Sequence, residues 1–121
     1  MIRLEAFTEA DAERLISWVD SPDFLLQWAG PIFTFPLDRE QVIKHLETTK
    51  GSRPKSLIYK AMDSEINEVI GHIELSNIDY KNQSATISRV LVSPLYRGKE
   101  YGQDIVKVFW KSDLTNFNYI E

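Results

Sequence analysis

Three strand-like runs follow one another with little between them, and that spacing restricts the fold more than any other feature of the chain. Leu57 to Met62, Val69 to Ile78 and Ala85 to Val92 alternate or cluster apolar and β-branched residues, and the turn sequences Asp63-Ser64-Glu65 and Tyr80-Lys81-Asn82-Gln83 separate them. Connections this short can only reverse the chain, because a parallel pairing needs a crossover of a dozen or more residues, so the spacing predicts an antiparallel meander. Ile2 to Phe7 sets Ile2, Leu4 and Ala6 against Arg3 and Glu5, the period of a half-buried strand that opens the same sheet.

Helical periodicity fills the interval between the first strand and the meander. Thr8 precedes Ala12, Leu15, Ile16 and Val19 at helical spacing, with Asp11 approximating a capping box, and Asp20-Ser21-Pro22 ends that segment. Ser21-Pro22 opens a short apolar stretch, Phe24 to Trp28, which Gly30-Pro31 stops before an aromatic-rich loop. Asp38 with Gln41 reads as an N-cap pair for a helix whose core face is Val42, Ile43 and Leu46 and which ends near Lys50-Gly51; Ser52 to Lys55 is linker. From Gly102, the residues Ile105, Val106, Val108, Phe109 and Trp110 give a last helix a wide apolar face, and Tyr119-Ile120 reads as the start of a further strand. The pattern is that of one α+β domain over residues 1–121.

Composition removes several function classes. Fourteen Lys and Arg against eighteen Asp and Glu leave a formal charge of -4, which argues against a nucleic-acid partner. The absence of cysteine removes disulfides, thiolate nucleophiles and thiolate metal sites, and two distant histidines make no ligand set, so no metal is expected. The Met1-Ile2-Arg3-Leu4 start lacks the apolar stretch of a signal peptide and no segment reads as a bilayer span, so a soluble cytoplasmic protein with no membrane partner is expected.

The run Val90-Leu91-Val92-Ser93-Pro94-Leu95-Tyr96-Arg97-Gly98-Lys99-Glu100-Tyr101-Gly102 reads as a buried strand, a sharp turn and the glycine-punctuated start of a helix. Helix N-termini leave backbone N–H groups unpaired and carry about half a positive charge, and glycines let a ligand approach the main chain, so such a junction suits a pyrophosphate. The spacing Arg97-x-x-Glu100-x-Gly102 after Val-Leu-Val-Ser-Pro resembles the acetyl-coenzyme A signature of the GNAT superfamily of N-acetyltransferases, whose usual form is Arg/Gln-x-x-Gly-x-Gly/Ala. Glu100 stands where the family has a glycine. A carboxylate about 4 Å from a phosphate costs about 1 kcal/mol with water-like screening and about 4 kcal/mol at an effective dielectric near 20. The order of elements from Ile2 onward resembles the ribosomal-protein N-terminal acetyltransferase branch of that superfamily.

The resemblance implies a GNAT-like α/β (α+β) fold, a central, mostly antiparallel sheet with helices on both faces, lacking the C-terminal strands and helix that family members usually carry. It implies acetyl-coenzyme A as cosubstrate, with Val90, Leu91 and Val92 pairing with the pantetheine amides and Arg97, Gly98, Lys99, Tyr101, Gly102 and Gln103 wrapping the pyrophosphate. Arg97 and Lys99 add charge-assisted bonds to phosphate oxygens. The bland alternative is a strand that simply turns into a helix through a glycine-containing loop. In the family a fifth strand follows the fourth, so an exposed fourth-strand edge is expected to pair two chains as a homodimer.

Amine acetylation needs a base for the ammonium proton. The resemblance places the strand carrying His72 and Glu74 at the acceptor cleft, making Glu74, acting directly or through water, the catalytic candidate; the alternative is that both residues form a solvated polar face. Ser88 and Arg89 read as structural, His45 between Lys44 and Glu47 as a surface residue, and Trp28, Phe33 and Phe35 as either an acceptor-side wall or core packing. Two functions remain: direct transfer of acetyl to a primary amine, on a small molecule or a protein N-terminus, and a truncated, catalytically degenerate member serving as a binding or assembly module.

Overall fold

The computed structural model describes residues 1–82, 84–98 and 101–111. β1 (Ile2–Ala6), β2 (Leu57–Asp63), β3 (Glu68–Asp79) and β4 (Ser84–Val92) form one sheet in the order β1-β2-β3-β4, and every neighbouring pair is antiparallel. The meander thus pairs as its short connections require. α1 (Ala12–Trp18), α2 (Pro22–Ala29) and α3 (Arg39–Leu46) lie between β1 and β2 in the chain, and α4 (Tyr101–Lys111) follows β4. The expected strand at Tyr119-Ile120 lies outside the described residues.

Local chemistry sets the helix starts. Ser21 Oγ accepts the Phe24 N–H with Pro22 in the first helical turn, and Asp38 Oδ1 accepts the Gln41 N–H. At the entry to α1 the work falls to Asp11, whose carboxylate accepts the Thr8 N–H at 2.8 Å and the Thr8 hydroxyl at 3.1 Å. The same carboxylate pairs with Arg14 at 2.7 Å and with Lys60 of β2 at 3.1 Å, so it ties the start of α1 to the sheet. Burial pushes the Asp11 carboxyl up, and the bonds from Thr8, Arg14 and Lys60 outweigh that and hold it at about 2.

Helices cover both faces of the sheet. On one, α1, α2 and α3 enclose Leu15, Val19, Leu25, Val42 and Leu46 against Ile58 and Leu91. On the other, Ile105 of α4 packs on Ala61, Ile70, Ile73, Leu75 and Ala85. Gly71 permits that approach, since a Cβ there would stand 2.5 Å from Ile105 Cδ1 and 2.9 Å from the Leu91 carbonyl oxygen. β3 is therefore buried from both sides, and His72 and Glu74 are only 2% and 1% exposed. The solvated-face reading of these two residues fails for this reason: alternation identifies a polar face, and α1 to α3 close over it.

Candidate functional site

Glu74 is the centre of a buried polar cluster drawn from three elements. Its Oε1 accepts His45 Nε2 of α3 at 2.9 Å and Arg89 Nη1 of β4 at 3.1 Å, while Oε2 accepts His72 Nε2 of β3 at 2.8 Å. A carboxylate only accepts, so both imidazoles carry their proton on Nε2. Burial pushes the Glu74 carboxyl up, but the bonds from His45 and His72 prevail and bring it down to about 2. His45 is thus no simple surface residue: one ring nitrogen is committed to Glu74 and the side chain is 18% exposed.

A β-bulge supplies the third partner. Pairing of β3 with β4 runs His72↔Leu91 and then Glu74↔Ser88, so Arg89 and Val90 together oppose Ile73. Arg89 adopts the left-handed backbone region, φ 49°, and from there its guanidinium reaches Glu74. The Trp28 indole N–H of α2 donates to the Arg89 carbonyl at 3.0 Å. Trp28 also stacks on Phe33 and meets His72 edge-on at 5.5 Å, and Phe33 meets His45 edge-on at 5.2 Å. Trp28 and Phe33 therefore pack against the helix-side core and against both imidazoles, as the core reading has it; Phe35 is 37% exposed.

On the outer side of the bulge, Val90, Leu91 and Val92 line a groove of about 280 Å³ with Phe24, Trp28 and Arg97. β4 ends the strand order, so this edge has no strand beside it among the described residues. A second groove of about 350 Å³ continues from the first through Val92 and Arg97 and is lined by Gly98, Tyr101, Gly102 and Gln103 at the N-terminus of α4. Arg97 joins the two: its Nε donates to the Val92 carbonyl at 3.0 Å and its guanidinium lies over the Phe24 ring, 4.6 Å from the centroid. Gly98 has φ +84°, a backbone region suited to glycine, and a Cβ on Gly102 would touch only Val92 Cγ2, at 3.8 Å. Tyr101 Oη donates to Asp63 Oδ2 at 2.7 Å, lowering the Asp63 carboxyl and raising the Tyr101 phenol. The fold thus brings together eight of the residues singled out for the cosubstrate; the ninth, Lys99, and the substituted position Glu100 lie outside the described residues.

A third cavity, of about 290 Å³, opens on the far side of Arg89, between α3 and the β3–β4 hairpin, and His45 lines it. His45 and Arg89 are the site residues that sequence reasoning passed over. The pair His45–Glu74 spans 29 positions, and no periodicity reports such a distance. Among the described residues no group of three or more His, Cys, Asp or Glu is arranged to hold a metal ion, and no helix is long and apolar enough to cross a membrane.

Residues 2–114 match the family model described as an acetyltransferase (GNAT) domain. Among solved structures, spermidine N-acetyltransferase from Vibrio cholerae in complex with CoA and spermine superposes with a TM-score of 0.72 at 15% identity, over 96% of this chain and 66% of that one. A dodecameric form of the Vibrio cholerae enzyme gives a TM-score of 0.59 at 18% identity, over 89% and 59%. A domain from Methanocaldococcus jannaschii gives 0.67 at 19% identity, over 92% and 68%. The chain therefore spans 59% to 66% of the length of these two Vibrio structures.

Proposed function

We propose, from the premise that the chain belongs to the acetyltransferase (GNAT) domain family, that it is an acyltransferase which binds acetyl-coenzyme A along β4 and passes the acetyl group directly to a primary amine. The observation that carries this reading is the pair of grooves, sharing Val92 and Arg97, that run from the Val90–Val92 edge, which has no strand beside it among the described residues, to the N-terminus of α4. Two glycines keep side chains off the second groove where a pyrophosphate would press: Gly98, in a glycine conformation, borders open space, and a Cβ on Gly102 would meet only Val92 Cγ2. Val90 and Val92, on the outward side of β4, offer backbone groups to the pantetheine amides, whereas the Leu91 carbonyl is turned to Gly71 of β3 and its expected pairing with the cosubstrate is withdrawn; Arg97, Gly98, Tyr101, Gly102 and Gln103 surround the phosphates. The cosubstrate supplies the acetyl group as an activated thioester.

Glu74 serves proton removal through His45. A carboxyl held at about 2 and occupied by three donors is a weak acceptor at neutral pH. Because Glu74 holds the His45 Nε2–H, the ring presents its Nδ1 lone pair, and His45 lines the third cavity beside the bulge. An amine entering there gives its ammonium proton to Nδ1 and forms the new N–C bond. The thioester C–S bond breaks, the sulfur leaves as a thiolate that takes the second amine proton, released as the amide forms, and His45 returns the first proton to solvent. Glu74 is thus the positioning residue and His45 the base.

The polyamine named for the Vibrio neighbour is an amine, as is the protein N-terminus that the ribosomal-protein branch would use. A cytoplasmic location belongs to the same proposal. So does pairing of two copies along the N-terminal half of β4, which would make specific activity depend on protein concentration. Isothermal titration of the chain with acetyl-coenzyme A tests the core of the reading. Saturable one-to-one binding in the micromolar range supports it; no heat from a folded chain replaces it with the non-enzymatic binding or assembly module.

A further inference from the structure

The geometry points to an acceptor amine that itself carries an anionic oxyacid group, a carboxylate or a phosphate, bound in the cavity between α3 and the β3–β4 hairpin. The amine's role rests on the acetyl-transfer reading above; the anion site rests on the cavity alone. Although the protein is acidic overall, this cavity is lined by Lys55, Arg89 and His45 and by no carboxylate. The adjoining cavity shares His45 and Thr48 with it and adds Lys44, again without a carboxylate. Glu74 offsets the charge of Arg89, so the net positive charge that this lining offers an anion is that of Lys55, with Lys44 in the adjoining cavity, and a positive cleft concentrates anions.

The nearby acids are committed elsewhere. Glu74 lies behind the wall with Arg89 and the two imidazoles, Asp79 takes the backbone N–H and side-chain amide of Asn82, and Glu47 pairs with Lys50. Lys55 has no acidic partner among the described residues, yet its backbone is held on both sides. The N–H groups of Lys55 and Ser56 donate to the Thr48 carbonyl at 2.8 and 3.1 Å, and the Lys55 carbonyl accepts the Ile78 N–H at 3.3 Å. Tyr80 Oη donates to the preceding Pro54 carbonyl at 2.6 Å. The ammonium therefore projects from a fixed origin. Arg89 Nε is buried without a hydrogen-bond partner.

Backbone strain converges on the same wall. Asn77 and Arg89, with φ of 51° and 49°, are non-glycine residues in the left-handed region, each beside a register shift of the β3–β4 ladder, and both line this cavity. At about 290 Å³ the space holds roughly ten water-sized groups, enough for an amine and one oxyacid headgroup. A polyamine brings further positive charge to a wall that has no carboxylate to receive it.

The test is a titration of the folded chain, followed by backbone amide NMR, with O-phosphoserine, glutamate, inorganic phosphate and spermidine, beside an independent titration with acetyl-coenzyme A. Shifts at Thr48, Ser56 and Asn77 with phosphoserine or glutamate, weakened about tenfold or more by Lys55→Glu, support the inference; the two ligands separate phosphate from carboxylate. Shifts at these positions with inorganic phosphate, lost in Lys55→Glu, support the anion site when an anionic amine gives them too; phosphate binding with neither anionic amine overturns the inference. Spermidine binding there as well as either anionic amine overturns it, as does the absence of shifts with all anionic probes, or shifts that Lys55→Glu leaves unchanged. Anion binding without acetyl-coenzyme A binding removes the transfer reading and keeps the site; the converse keeps the transfer reading and removes the site.

Discussion

Glu74→Gln isolates the carboxylate that organises the site. Glutamine keeps the shape but replaces one oxygen with an NH2. Donors approach both oxygens, from His45 and Arg89 on one and His72 on the other, so either amide orientation sets N–H against N–H. The Glu74 carboxyl lies at about 2 against an ordinary 4.5, which at roughly 1.4 kcal/mol per pH unit corresponds to about 3 kcal/mol of stability. One-sided loss of a buried ion pair costs about 3–5 kcal/mol, the same order. Because the carboxyl is lowered in the folded state, the unfolded chain takes up the proton first as the pH falls. The stabilisation is full above about 4.5 and disappears as the pH drops through about 2. Urea unfolding of both chains from pH 7 down to pH 2 reads this directly. The variant is expected to be about 3 kcal/mol less stable at pH 7, with the gap narrowing below pH 4.5. Asp11, also held at about 2, titrates in both chains and cancels in the difference. A gap that stays constant across the range, or no gap at pH 7, refutes the reasoning.

Gly71→Ala forces a methyl against the Leu91 carbonyl and Ile105 and is expected to lower stability by about 1–3 kcal/mol, read as a fall in the urea midpoint; an unchanged midpoint means that α4 can shift without loss. Gly102→Ala meets little resistance from the fold and replaces a helical glycine, so stability should hold or rise by about 0.5–1 kcal/mol. Its methyl lies in the proposed phosphate groove, so the affinity for acetyl-coenzyme A should fall by roughly tenfold. A thermal melt with a calorimetric titration checks both halves, and undiminished affinity would show that the ligand does not press on this position.

Local signals carried much of the architecture. Short connections dictate an antiparallel meander whatever the rest of the chain does, and Ser21-Pro22 and Asp38 start helices through bonds made within three residues. The groove from Val90 to Gln103 was legible for the same reason, since a strand, a turn and a helix start contiguous in sequence must also be contiguous in space. What alternation along β3 could not say is whether the polar face meets water or a helix. That depends on α1 to α3 packing back across the sheet, and it turns the expected solvated face of His72 and Glu74 into a buried carboxylate with its hydrogen-bond partners. Nor could spacing show that His45, 29 positions away, and Arg89, 15 positions away on a bulge, would converge on that carboxylate. Main-chain periodicity and capping are set by neighbours within a turn, so the sequence determines them by itself. A buried charge needs partners from distant elements to offset its desolvation, and only the tertiary structure decides which side chains those are.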